Sequence, residues 1–229
     1  MLEILKKSLS ARQKKYLRYY LFSSLGVVGV KKSPSLFEID KKIEPYLQPA
    51  TRKGFFIEAG GNDGVTQSNT FHLEQHYGWT GFIVEPIPWL NDLAKRFRRC
   101  DVETCALGRF SERGASISLE ENDLVTRVTS DTAGAERVVT APVEPLSDIL
   151  DRRGVSEIDF FSLDVEGHEN AVLEGIDFDK HLINSILIET RSLQRLSIEW
   201  GLYADPIQIT HHDYLFINKD HFERHLMHV

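Results

Sequence analysis

The sequence predicts an α/β fold built on an open, mostly parallel sheet covered on both faces by helices. Three observations carry this expectation. From Phe55 onward short apolar runs alternate with helical patterns, the strands read as near-continuous apolar segments, and several of them end in a carboxylate beside a glycine or proline turn. The order is "FFIEAG", a helix near Asn69 to Tyr77, "GFIVEP", a helix near Trp89 to Arg98, and "VETCAL". After these come "IDFFSLDV", the helix-like "ENAVLEGI", "INSILIE" and finally "YLFIN". Between them "ASISLE" and "RVVTAPV" form an extra hairpin, and the stretch from Glu121 to Glu136 reads as a polar loop.

The chain has 229 residues, of which 41% are hydrophobic, enough to bury a core in one domain with an appendage. Its net charge of -7 is unevenly placed. Residues 1–53 carry 12 Lys and Arg against 4 Asp and Glu, so the other 176 carry 15 against 30. We therefore divide the chain into a basic helical arm and linker, 1–53, and an acidic body, 54–229. An acidic body excludes an extended nucleic-acid face, which needs Lys and Arg against phosphate. In the arm Leu2, Leu5, Leu9, Tyr16, Tyr19 and Tyr20 lie on one side of a helical wheel, opposite Lys7, Lys14, Lys15 and Arg18. Such a helix either packs on the body or makes a peripheral contact with an anionic membrane or a protein. The apolar run Leu21 to Val30 is half the length of a membrane span. Two cysteines, Cys100 and Cys105, without a Cys-x-x-Cys pair fit a reducing, cytoplasmic setting.

Ligands of open α/β sheets bind outside the carboxyl ends of the strands, where the strand order reverses. Here those ends are Glu58, Glu85, Ala106, Asp164 and Glu189. Four carboxylates in five positions are poorly explained by packing, because burying a charge is costly unless it is paired. The first is followed by "AGGNDG", in which Gly60 and Gly64 allow a tight turn and close ligand approach. Gly-x-Gly-x-x-Gly is absent, which weakens a nicotinamide-dependent oxidoreductase as the alternative. Glu85 stands where an acidic residue accepts hydrogen bonds from ribose hydroxyls, and Pro86 turns the chain away.

These residues resemble the FkbM-type S-adenosylmethionine-dependent methyltransferases. The likeness rests on "FIEAGGNDGVTQSNTFHLEQHYGWTGFIVEP", "CALG" and "IDFFSLDVEGHENAVLEGID" with "ILIE", about Phe55 to Glu189, plus the closing strand near Tyr214 to Asn218. The resemblance implies a Rossmann-like class I methyltransferase domain with a seven-stranded sheet, S-adenosyl-L-methionine as cofactor, and O-methylation of a hydroxyl on a sugar, glycan or natural product. It implies that Glu58, Gly60, Asn62, Asp63 and Gly64 surround the methionine part, with Ser68 and the next helix N-terminus near its carboxylate. Glu85 and Pro86 would hold the ribose, Ala106 and Leu107 would border the adenine, and Asp164 would face the ammonium or the transferred methyl.

"LDVEGHE" would then carry the reaction. His168, four residues after Asp164, is the candidate general base, since an imidazole titrates near neutrality. Glu166 would orient it or bind the acceptor, and Glu189 stands at the neighbouring strand end. A second reading makes Asp164, Glu189 and His168 ligands of a divalent metal. A third keeps the fold as a non-catalytic binding module. His72 with His76, and His221, His225 and His228, have helical spacing and are expected on helix faces, with no metal.

Overall fold

In the computed structural model residues 13–14, 34–122, 125–128 and 138–225 are described. The basic helix expected over the first twenty residues, the apolar run Leu21 to Val30, most of the Glu121–Glu136 stretch and His228 lie outside the described residues. The helices are α1 (Ile39–Leu47), α2 (Phe71–Tyr77), α3 (Pro88–Phe97), α4 (Leu146–Arg153), α5 (Glu169–Leu173) and α6 (Lys219–His225). The strands are β1 (Phe55–Ala59), β2 (Thr80–Val84), β3 (Asp101–Glu103), β4 (Ala106–Leu107), β5 (Ser116–Asn122), β6 (Val125–Val128) and β7 (Val138–Glu144). They continue as β8 (Glu157–Ile158), β9 (Phe160–Leu163), β10 (Leu182–Ile183), β11 (Ser185–Glu189), β12 (Ile207–Gln208) and β13 (Asp213–Ile217).

Seven strands form the main sheet in the order β3-β2-β1-β9-β11-β13-β12. Counted among themselves they run 3-2-1-4-5-7-6, with β13 antiparallel to both neighbours. This is the Rossmann-like class I methyltransferase arrangement that the resemblance implies. The strand order reverses between β1 and β9, which pair in parallel with Glu58 beside Ser162. Ligand clefts of such sheets open at that point.

Alternation along the central strands supplies two cores. On one face Ile57, Phe82, Phe161, Ile186 and Phe216 pack with Ile149 and Leu150 of α4 and Val172 of α5. On the other Phe56, Phe160, Leu187 and Leu215 pack with Leu73, Trp79 and three residues of α1, Ile39, Ile43 and Leu47. Those α1 residues are buried. The packed body therefore begins ahead of the boundary drawn at residue 53.

The connection after β3 departs from expectation. "VETCAL" is not one strand: β3 ends at Glu103, and Ala106–Leu107 leaves the main sheet to pair with Val143–Glu144 of β7. A second sheet, β4-β7-β5-β6, results. The β5–β7 pair is the expected hairpin, but β6 forms inside the stretch read as a polar loop. Ile87 and Leu90 pack on Ala106, Leu119, Ala141 and Val143, which fastens this small sheet beside the strand ends.

Candidate active site

A cavity opens at the point where the strand order reverses, walled by the loops after β1, β2 and β9 and by the small sheet. Eleven of the residues selected from the sequence line it. Glu58, Gly60, Asn62 and Ser68 come from the first loop, Glu85 and Pro86 from the second, and Ala106 and Leu107 from β4. Asp164, Glu166 and His168 come from the third loop. Asp63, Gly64 and Glu189 do not line it. Residues not singled out beforehand that do so include Gly61, Gln67, Asn69, Ser162, Ile117 and Leu119.

The glycines answer first to the protein itself. Gly60 has φ +80°, and a Cβ there would sit 1.8 Å from the Asp164 carbonyl oxygen. A Cβ on Gly61 would sit 2.1 Å from Ile83 Cγ2. Gly64, at φ +78°, packs on Ala94 and Arg98, away from the cavity. The bare backbone is thus needed to turn β1 against β9 and α3, and only Gly60 and Gly61 also border the cleft. Asp63 is a staple of the same loop: its carboxylate accepts from the Val65 and Thr66 amides at 3.0 and 2.7 Å and from the Thr66 hydroxyl at 2.8 Å.

Glu58 is held from behind. Its carboxylate accepts from the Asn69 amide at 2.7 Å, the Ser68 hydroxyl at 2.8 Å, the Thr70 hydroxyl at 2.7 Å and Arg98 Nη1 at 3.3 Å. Arg98, fully buried at the end of α3, also donates to the Gly64 carbonyl, Ser68, Thr70 and Glu74, and lies 5.3 Å from the Phe56 ring centroid and 5.7 Å from that of Phe71. A buried carboxylate is tolerable when it is paired and hydrogen-bonded in this way. The sequence reading passed over Arg98, whose only signal was its place at a helix end. The arrangement also takes up the start of α2, because Ser68 Oγ accepts from the Thr70 and Phe71 amides at 3.3 and 3.0 Å. The helix N-terminus and the Ser68 hydroxyl, both expected near a ligand carboxylate, are therefore engaged internally.

Glu85 is buried and ties two loops together, accepting from the Asn62 amide at 2.8 Å and the Ile87 amide at 2.9 Å. Asp164 follows β9, and burial first, then Glu189, Glu166 and Asp213, push its carboxyl well above the usual carboxylate range. Register explains the crowding, since β11 pairs with β13 so that Glu189 stands opposite Asp213. Burial likewise raises Asp213. Glu189 acts on the cavity through Asp164, with which it shares a hydrogen bond.

The turn after β9 bends sharply, with Glu166 at φ +53° and Gly167 at φ +99°. It sets His168 at the start of α5, half-buried. Burial lowers the imidazole pKa, the Arg109 charge adds to this and Glu112 opposes it. Its Nε2 is buried and has no hydrogen-bond partner among the described residues. The ring is therefore neutral near pH 7, with a nitrogen available to take a proton.

Among the described residues no group of three or more His, Cys, Asp or Glu side chains could hold a metal ion. His72 Nε2 lies 2.7 Å from Glu44, and its ring centroid is 4.4 Å from that of His76 in a tilted contact.

The model of the methyltransferase FkbM domain matches residues 58–216, from Glu58 in β1 to Phe216 in β13. The chain belongs to this family. Solved structures similar to this FkbM-domain chain include an FkbM methyltransferase from Methylobacillus flagellatus, 17% identical with a TM-score of 0.46, where the match covers 72% of this chain and 43% of the other. The chain thus spans less than half the length of that protein. TrmK of M. capricolum, solved with S-adenosyl-homocysteine, is 11% identical with a TM-score of 0.42, covering 81% and 69%. A methyltransferase from Geobacter sulfurreducens is 12% identical with a TM-score of 0.43, covering 92% and 96%. No curated protein matches the FkbM-domain chain. No helix among its described residues is long and apolar enough to cross a membrane.

Proposed function

We propose that this FkbM-domain chain transfers a methyl group from S-adenosylmethionine to a hydroxyl of a sugar, glycan or natural-product acceptor. The residues present fit that cofactor. Glu58, Glu85, Asp164 and Glu166 line the cavity and, among the described residues, no Lys or Arg does, a field that favours a sulfonium cation. Leu90, Ala106, Leu107, Ile117 and Leu119 give one end of the cavity the apolar walls that suit a flat base. Glu85, which accepts from the Asn62 and Ile87 amides, lines the same cavity, and we assign the ribose diol to it.

The observation that carries the reading is His168, which lines the same cavity as the acidic strand ends and whose buried Nε2 has no hydrogen-bond partner among the described residues. When bound, S-adenosylmethionine supplies an electrophilic methyl group. The chain's own part is to hold the acceptor hydroxyl and to accept its proton at His168 Nε2 as the new O–C bond forms and the C–S bond breaks. The imidazolium then passes the proton to solvent. Glu166, exposed at the cavity mouth, is placed to meet a polyhydroxylated acceptor.

Calorimetry with S-adenosylmethionine, S-adenosylhomocysteine and NAD tests the first half. Binding of the first two without the third is expected; the reverse would identify an oxidoreductase. Transfer of labelled methyl to a panel of glycans, abolished by His168→Gln with cofactor affinity retained, tests the second half. Retained transfer in that variant removes His168 from the chemistry.

A further inference from the structure

The methionine end of S-adenosylmethionine brings a carboxylate into a cavity that, among the described residues, no Lys or Arg lines. The described residues offer that carboxylate neutral donors, and several of these are already used. The Asn69 amide and the Ser68 hydroxyl are bonded to Glu58, and the Thr66 hydroxyl to Asp63. The Asn69 carboxamide donates to Ser162 Oγ at 3.0 Å.

Gln67 stands apart from them. Its side chain is exposed, lines the cavity and makes no hydrogen bond to the described residues. Its backbone is held at φ +66°, a left-handed conformation that a residue with a Cβ rarely adopts. Four restraints keep it there. The Gln67 amide donates to the Pro34 carbonyl at 3.1 Å, and Ser35 forms a parallel bridge with Gln67. Asp63 clamps Thr66 on one side, and Glu58 clamps Ser68 on the other. Ser35 itself is buried and donates its hydroxyl to Asn69 Oδ1. Backbone strain of this kind persists where the surroundings over-determine it, and it clusters at ligand clamps. The surroundings here fix the neighbours of Gln67 on both sides, and Gln67 itself lines the cavity.

We propose that Gln67 donates its carboxamide N–H to the α-carboxylate of S-adenosylmethionine, an inference that rests on the cofactor reading above. The segment at Pro34–Ser35 is then a positioning strap for the cofactor loop. 5′-Methylthioadenosine keeps the adenosine and the sulfur but lacks the amino-acid tail, so the pair it makes with S-adenosylhomocysteine isolates the contact. Calorimetry on the full chain should show Gln67→Ala and Gln67→Gly binding S-adenosylhomocysteine about tenfold more weakly, as loss of a hydrogen bond to a charged group implies. Both variants should bind 5′-methylthioadenosine within about twofold of wild type. Gln67→Gly, free of the Cβ penalty at positive φ, should melt at or above the wild-type temperature, which separates weaker binding from misfolding. An equal fall for both ligands, or unchanged affinity for S-adenosylhomocysteine, overturns the assignment while leaving the cofactor reading intact. Failure of the wild-type chain to bind either ligand overturns both.

Discussion

Replacing Arg98 by methionine removes a guanidinium that joins α3 to the first site loop and lies against the Phe56 and Phe71 rings, while keeping an unbranched apolar side chain in its place. Three neutral contacts are lost, to the Gly64 carbonyl, Ser68 and Thr70. Two carboxylates, Glu58 and Glu74, lose their buried cation. Neither is left bare: Glu58 keeps the Asn69 amide and two hydroxyls, and Glu74 keeps the Arg99 and Cys100 amides. Breaking a buried pair on one side costs about 3–5 kcal/mol, a large part of a typical stability of roughly 5–15 kcal/mol. Urea unfolding at pH 7 should return a loss in that range, and Glu58→Gln in the Arg98→Met background should recover part of it by removing an unpaired charge. Glu74 adds a pH signature. Burial opposes its ionisation, but Arg98 and the Cys100 and Arg99 amides win and hold its carboxyl below the usual value. Such a group stabilises the fold above its unfolded pKa, roughly 4.3, and that stability is lost as pH falls through the lower folded value. The gap between wild type and Arg98→Met should therefore narrow at acid pH. A loss below about 1 kcal/mol at pH 7, or a gap that widens on acidification, would refute the view that this buried pair carries the loop.

Three further outcomes are expected. Gly60→Ala, which forces a Cβ to 1.8 Å from a backbone oxygen, should cost well above ~3 kcal/mol, whereas Gly154→Ala, at φ +65° in open space, should cost about 1 kcal/mol; similar urea midpoints for the two would remove the steric argument. The His168 imidazole, its pKa lowered by burial, should titrate by NMR with a midpoint below ~6.5. Because its folded pKa is the lower one, stability should fall as pH drops from that unfolded value toward the folded one, and less so in His168→Gln; a midpoint at or above ~6.5 would contradict the burial account. Asp164, raised by burial and by Glu189, costs stability above its unfolded pKa near ~3.9. Asp164→Asn should therefore gain on the order of 1 kcal/mol at pH 7, a gain that fades below pH ~4, while weakening S-adenosylmethionine; a loss at pH 7 would show that the charged form is favoured.

The central sheet was legible because β1, β2, β9, β11 and β13 are apolar runs closed by turn residues, a signal that parallel pairing itself produces. Elements that obey longer-range rules were harder. "VETCAL" reads as one strand, yet it changes sheets because Ala106–Leu107 finds a partner in Val143–Glu144, some 37 residues away. β12 is two residues long, Ile207–Gln208, and owes its existence to the antiparallel β13 beside it. The limit of the body was drawn by charge, but Ile39, Ile43 and Leu47 recur at helical spacing, and burial against Phe56 and Leu215 outweighs the lysines on the opposite side.

In the site, residue type was legible and duty was not. Strand-end carboxylates signal a cleft because burial makes each of them costly, but the same cost is what draws in internal partners. Glu58 met it with Arg98 and two hydroxyls, and Glu85 with two amides from different loops. No spacing along the chain announces that Arg98, forty residues after Glu58, will turn back beneath it. What stays available to a ligand is the set that folding does not consume. It includes the Nε2 of His168 and the carboxamide of Gln67, carried on the loops after β9 and β1 by two left-handed turns, at Glu166 and at Gln67. Neither turn uses glycine at its functional position, although glycine would remove the strain. Gln67→Gly, which relieves that strain and removes the carboxamide, is therefore expected to separate folding from binding at this site.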